Sequence, residues 1–147
     1  MIQVTVAIIG SRNFTNSKFA EKTLNNLVKD RNLKITIIYS GAAKGADKIG
    51  AIWGRKNNIE VIEFIPEWDK YKKAAGFMRN SLIIENADII IAFYDMKSKG
   101  TADSLKKAKE LNKEVIIIDV AEIIYQDELL INESAKIREK LINLAKQ

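Results

Sequence analysis

The sequence predicts an α/β fold, a single doubly wound parallel sheet of about five strands with helices on both faces. Three observations carry this. Five short runs rich in Ile and Val, at residues 3–9, 34–39, 60–65, 88–93 and 114–118, are apolar enough to be buried on both sides. Between them lie stretches with apolar residues at helical spacing, and parallel neighbours need crossovers of that length. The first four runs each end in a polar or glycine-containing loop, so these loops line the carboxyl edge of the sheet, where ligands sit in such folds.

The first strand, 3–9, alternates, then turns fully apolar, and exits into Gly10-Ser11-Arg12. Thr15, Asn16 and Ser17 offer helix N-caps, and Phe19, Ala20, Leu24, Leu27 and Val28 follow at helical spacing as far as Asp30-Arg31-Asn32. The second strand, 34–39, leads into Ser40-Gly41-Ala42-Ala43-Lys44-Gly45-Ala46-Asp47, which opens a helix running to Asn57-Asn58 with Ile49, Ile52 and Trp53 on its apolar face. The third strand, 60–65, stops at Pro66, the only proline, whose missing N–H and fixed φ suit a strand exit.

Residues 67–73 read as irregular, 74–86 as a helix, and 88–93 as the fourth strand. After a polar loop at 95–100, Thr101 or Asp103 is expected to cap a helix through Leu111, ahead of the fifth strand. The tail adds a charged amphipathic helix at about 133–146, with Ile137, Leu141, Leu144 and Ala145 on one side. It is expected to pack on the sheet or to form a self-association face. With no repeat, low-complexity tract or linker in its 147 residues, the chain is read as one domain, 1–147.

Apolar residues make up 47% and charged residues 29%, an ordinary globular balance. Cysteine and histidine are both absent, which excludes disulfides, thiolate zinc sites, cysteine nucleophiles and every His-dependent triad. Acid–base chemistry is left to carboxylates, lysine, tyrosine or water. Residues 1–10 carry neither a basic leader region nor a small-residue cleavage site, and no apolar run approaches membrane-spanning length, so a cytoplasmic protein is expected. The net charge of +5 and pI near 9.3 fit a nucleic acid or an acidic ligand. An Ile/Lys/Asn-rich composition of the kind that low-GC genomes produce gives the same basicity.

The 40–47 stretch is the leading candidate cradle. A strand that ends in small residues and turns at once into a helix aims unpaired N–H groups and a positive dipole end at one point, which suits phosphate. A tight turn needing Gly only for its backbone gives the same sequence. Arg12, just past the first strand, is placed for a two-pronged phosphate contact, with Ser11 donating beside it. Gly10, Gly41 and Gly45 permit close backbone approach, Ser40 and Ala42 complete the turn, and Lys44 adds charge or faces solvent. Asp47 either meets a ribose hydroxyl or stabilises its helix N-terminus. Trp68 and Tyr71 either stack on a base or close the core edge, and Gly100-Thr101 opens a second helix beside a hydroxyl.

In order along the chain, GSR at 10–12, SGAAKGAD at 40–47, PEWDKYKKAAGFMRN at 66–80, AD at 87–88 and SKGT at 98–101 form a set that resembles the SLOG superfamily. The similarity spans roughly residues 6–118 and is greatest to its small stand-alone bacterial and phage members. It implies a Rossmann-like fold that holds nucleotides or nucleotide-derived ligands. The superfamily includes the Lonely Guy phosphoribohydrolases and the DNA-processing protein A family, which binds single-stranded DNA. Arg79, with Asn80 beside it, stands eight residues before Ala87-Asp88, where the Lonely Guy pattern implies a substrate contact.

The chain departs from those hydrolases at their PGGxGTxxE motif. It reads Ser98-Lys99-Gly100-Thr101-Ala102-Asp103-Ser104, with Ser104 where the catalytic glutamate would stand. Glycosidic cleavage needs a carboxylate to stabilise an oxocarbenium-like state, and only Asp103 or Asp47 is left as a catalytic candidate.

The expectation is therefore binding, sensing or sequestration of a phosphorylated, nucleotide-derived small molecule, with no cofactor, metal or membrane partner. One alternative is an N-glycosidase of the Lonely Guy type. A second is single-stranded nucleic-acid binding through Lys70, Lys72, Lys73, Lys97, Lys99, Lys106 and Lys107. A homo-oligomer is expected.

Overall fold

The computed structural model describes residues 1–147. Five strands, β1 (Ile2–Gly10), β2 (Leu33–Ser40), β3 (Glu60–Glu63), β4 (Ile89–Tyr94) and β5 (Glu114–Asp119), form one parallel sheet in the order β3-β2-β1-β4-β5. The order reverses between β1 and β4, so the switch point, and the crevice beside it, lies at the ends of these two strands.

The period of two along β1 divides the interior. Val6 and Ile8 join a core on one side with Ala20 and Leu24 of α1 (Ser17–Asp30), Ala46 and Trp53 of α2 (Ala46–Lys56), and Ile124. Ala7 and Ile9 point the other way, onto Ile83 and Ile84 of α4 (Ala75–Asn86) and Ala108 of α5 (Lys99–Glu110). Both faces of the central strands are thus sealed, which is why they read as unbroken apolar runs. Trp53 is 5% exposed and its indole N–H donates to Asn25 Oδ1 at 3.0 Å.

Asp88 lies at the opposite, amino end of the sheet, where it clasps β1 to β4. Its carboxylate accepts from the Thr5 N–H at 2.9 Å, and its own N–H donates to Thr5 Oγ1 at 3.1 Å.

Four boundaries differ from the sequence reading. β3 ends at Glu63, because it is a short edge strand paired to β2 alone. The segment read as irregular is α3 (Trp68–Tyr71) followed by a 3-10 turn (Lys72–Ala74). α5 starts at Lys99 because Ser98 is its N-cap, accepting from the Thr101 N–H, in place of Thr101 or Asp103. The tail is a single helix, α6 (Ala121–Ala145), which begins directly after β5 because Val120 and Ile124 bury its first turns. No helix is long and apolar enough to cross a membrane.

Candidate functional site

Three backbones meet at the switch point, and glycine is what lets them. A side chain at Gly10 (φ 153°) would strike the Phe93 carbonyl oxygen of β4 and sit 2.8 Å from Ala46 Cβ of α2. A side chain at Gly45 (φ 85°) would lie 2.6 Å from Arg12 Cα. The close fit is locked by the Ser11 N–H, which donates to Phe93 O at 2.9 Å, and by the Ala46 N–H, which donates to Ser11 O at 3.2 Å.

Two hydroxyls are buried beneath this contact. Ser11 Oγ accepts from the Asp95 N–H at 2.9 Å, and Ser40 Oγ accepts from the Ala42 N–H at 3.2 Å. Both residues are fully buried, so they shape the loops from below.

Above them opens a cavity of about 260 Å³ between the β1 loop, the 41–45 loop, α4 and the start of α5. Gly10, Arg12, Asp47, Arg79, Asn80, Gly100 and Thr101 all line it. Arg79, half-buried, is held on two sides, its Nε donating to Asn80 Oδ1 at 3.0 Å and its Nη1 to the Gly41 carbonyl. Asn80 in turn donates to Asp103 Oδ2 at 3.2 Å and to Gly100 O at 3.4 Å, which ties α4 to the first turn of α5. A guanidinium anchored in this way is pre-oriented for a planar anion.

Asp47 is the only carboxylate in the lining. Burial raises its pKa from 3.8 to about 6, against the opposing pull of Arg79, the Ala43 and Gly41 N–H groups and Arg12. Burial likewise lowers Arg79, partly offset by Asp47. Asp95 moves the other way: its burial is outweighed by hydrogen bonds from the Lys97 and Ser98 N–H groups, at 2.9 and 2.8 Å, and its carboxyl titrates below the usual range. That turn delivers Ser98 to the N-cap of α5, and Ser98 and Lys99 join the lining. The Thr101 N–H is capped, and the N–H groups of Lys99 and Gly100 precede the first intrahelical bonds. The wall is thus a 12-residue helix N-terminus with its positive dipole end toward the cavity.

A second compartment, about 250 Å³, adjoins the first and shares Arg12, Ala43 and Arg79 with it. Gly41, Ala42, Lys44 and Trp68 line it, and Trp68 is 51% exposed. Tyr71 lies farther along, in an apolar groove with Pro66 and Met78.

The structure does not bring every sequence candidate to the cavity. Ser11, Ser40 and Gly45 lie under or behind it. Asp103 is turned aside, its carboxylate 2.7 Å from Lys107 Nζ and bonded to Asn80. Ser104, at the position of the hydrolase glutamate, does line the cavity. Ser98 and Lys99 were missed as site residues, although a Ser three residues before Thr101 is an N-cap pattern. Ile9 and Ile83 were missed as well, and nothing in their apolar character marks them.

The family model for the YspA, cpYpsA-related SLOG family (YAcAr) matches residues 4–71, which contain most of β1, the 40–47 cradle and Trp68. DNA processing protein A from Streptococcus pneumoniae superimposes with a TM-score of 0.61 at 23% identity over 77% of this chain. The DNA processing protein A of Helicobacter pylori, whose structure was described for its single-stranded DNA binding mode, gives 0.58 at 22% identity over 85%.

The match to a SLOG family thus covers residues 4–71, and the likeness to the two DNA processing proteins extends to the fold. The chain spans 49% of the pneumococcal protein's length and 73% of the Helicobacter one. No curated protein sequence matches it significantly.

Proposed function

We propose that this chain binds a phosphorylated, nucleotide-derived small molecule at the β1/β4 crevice. The observation that carries the reading is the convergence of two guanidinium groups, Arg12 and Arg79, on a cavity walled by the N-terminus of α5. Cations, oriented N–H groups and a helix dipole act together on one anion. The adjoining compartment, with exposed Trp68, is sized and placed for a nucleoside joined to that phosphate.

Isothermal titration with nucleoside mono- and diphosphates, ADP-ribose derivatives and cyclic nucleotides tests this. At least one should bind, and Arg79→Ala should weaken it by about tenfold or more, the loss of one charged hydrogen-bonding partner. A folded protein that binds none of the panel overturns the reading.

The place of a catalytic glutamate is taken by Ser104, and Asp103 is committed to Lys107 and Asn80. The reading is therefore of a binding protein, and AMP should release no free base in its presence. Release that Asp47→Asn abolishes would establish the hydrolase alternative instead.

A second reading, single-stranded nucleic acid binding, draws on the fold shared with DNA processing protein A and on exposed lysines, Lys99 lining the cavity, Lys44 lining the adjoining compartment and Lys97 in the loop before α5. Of the seven lysines that the sequence suggested for this role, Lys107 drops out, since it is engaged with Asp103 and the Phe77 carbonyl. Oligonucleotide binding that is absent at low salt removes this second reading.

A further inference from the structure

The far half of α6 has no partner within the fold. Val120 and Ile124 are buried at its start, and Asp127 accepts from Asn16 Nδ2 at 3.2 Å. Beyond that point every residue from Glu128 to Gln147 is exposed, and the exposed set includes Leu130, Ile131, Ile137, Leu141, Ile142 and Leu144. A stripe of this size left in water is an interaction surface.

Two features say what covers it. The first is spacing: Leu130, Ile137 and Leu144 recur every seven residues, with Ser134 and Leu141 at the intervening seam positions. That 3.5-residue period is the seam of a helix meeting another helix. Beside the seam, small Ser134 and Ala135 sit among Leu130, Ile131, Arg138, Glu139 and Ile142 in a shallow concavity of about 570 Å³.

The second is charge. Up to residue 133 the charged residues of α6 are all acidic (Glu122, Asp127, Glu128, Glu133), whereas after it Lys136, Arg138, Lys140 and Lys146 face a single acid, Glu139. Side by side in parallel, two such helices set acid on acid and Asp127 on Asp127. Head to tail, the acidic half of each lies on the basic half of the other.

We propose that α6 pairs antiparallel with α6 of a second copy of this chain, about a twofold axis between Ala135 and Lys136. In that register Leu130 meets the partner's Leu141, and Ile137 packs over the partner's small Ser134. Glu133 lies beside the partner's Lys140, and each contact occurs twice. The paired stretch is roughly 27 Å long, from 1.5 Å per residue over 128–145, and it holds the two α/β bodies at opposite ends.

Sedimentation equilibrium of the full chain from about 1 to 200 μM, the range of modest protein–protein affinities, should show a monomer–dimer transition. Ile137→Asp should raise the dissociation constant by about tenfold or more, with the thermal midpoint of the body unchanged because the position is solvent-exposed. Glu133→Lys and Lys140→Glu should each weaken dimerisation, and the double swap should restore it. In a parallel pair the Glu133→Lys ammonium would instead face the partner's Arg138, and the double swap would give no rescue.

The chain has no cysteine, so Ala145→Cys supplies a unique label. Two such labels lie roughly 30 Å apart in the antiparallel pair and about 10 Å apart in a parallel one. A monomer throughout the range overturns the proposal, as do labels at the shorter distance or a monomeric tail captured by anionic phospholipid vesicles.

Discussion

Asp47 carries the cost of the cavity's design. A carboxyl pushed up to about 6 is protonated more readily in the folded chain than in the unfolded one, whose carboxyl titrates near 3.8. The folded state therefore binds the extra proton between those values, so stability falls as pH rises from about 4 to 6 and then levels. At neutral pH the penalty is on the order of 3 kcal/mol, from about two units of displacement at 1.4 kcal/mol each. Asp47→Asn, which keeps an acceptor for the Ala43 N–H, should accordingly raise the thermal midpoint at pH 7.5 by roughly 5–10 °C and flatten its fall between pH 4 and 6. Parallel melts followed by circular dichroism decide it, and an unchanged midpoint would sink the idea that Asp47 is charged at a cost. The same carboxylate repels an anionic ligand, so a phosphodiester nucleotide, whose own charge is fixed over roughly pH 5 to 8, should bind more tightly below pH 6 than above it. The residues that gather here were legible in the sequence as loop positions following strands. Their orientation was not, because whether Asp103 faces the cavity or Lys107 depends on Asn80 reaching across from α4.

The elements around the site depend on a few backbone conformations, and these separate folding from binding. Gly10 belongs to the contact of β1 with β4 and α2, so Gly10→Ala has no room: its Cβ would meet backbone on one side and Ala46 on the other. It should cost about 2–4 kcal/mol, seen as a fall of roughly 5–10 °C in the midpoint. Gly100 has nothing within 4 Å of an added Cβ and sits in the first turn of α5. Gly100→Ala should leave the midpoint within about 2 °C while crowding the cavity and weakening the ligand. If Gly100→Ala melts as early as Gly10→Ala, the distinction between a folding glycine and a site glycine fails. The turns at the other edge use a different device. Asn32, Asn58 and Asn112, each two residues past a helix, have φ of 53°, 58° and 54°. They end α1, α2 and α5 in the left-handed conformation that asparagine tolerates better than other side-chain-bearing residues. Asn112→Gly should be neutral or stabilising, and Asn112→Ala should cost about 1 kcal/mol by thermal melting. Strand positions were legible because two buried faces force unbroken Ile and Val, and two of the three Asn stops marked the ends of their helices in advance. The start of α5 was misplaced because Thr101 is itself a good cap residue. Only the Asp95 turn, which delivers Ser98 to the N-cap, decides between them.

At the scale of the whole molecule, the alternating pattern identified the doubly wound sheet, yet the switch point between β1 and β4 was not readable. Every strand run is mostly apolar, and the order is fixed by which faces the helices cover. The tail was read as beginning near 133 because its apolar stripe is clearest there. The helix in fact starts at Ala121, where Ile124 is taken up by the core and leaves a weaker periodic signal. Global charge bears on the ligand. A net charge of +5 attracts any polyanion, so binding at low salt does not by itself separate a nucleotide from a strand of DNA. Salt dependence does. A single strand that neutralises about five phosphates should lose roughly 100-fold in affinity between 50 and 200 mM salt, from a slope near −0.7 per phosphate. A small ligand with about two phosphates, held by Arg12, Arg79 and the α5 N-terminus, should lose less than about tenfold over the same interval. The proposed small-molecule site calls for the shallow dependence, because Arg12, Arg79 and the α5 N-terminus gather around one cavity of about 260 Å³ and do not track along a surface. Titrating one nucleotide and one thymidine oligomer at both salt concentrations measures the two slopes directly. A tighter oligomer complex with the steep slope, at salt levels where no nucleotide binds, would transfer the function to single-stranded nucleic acid.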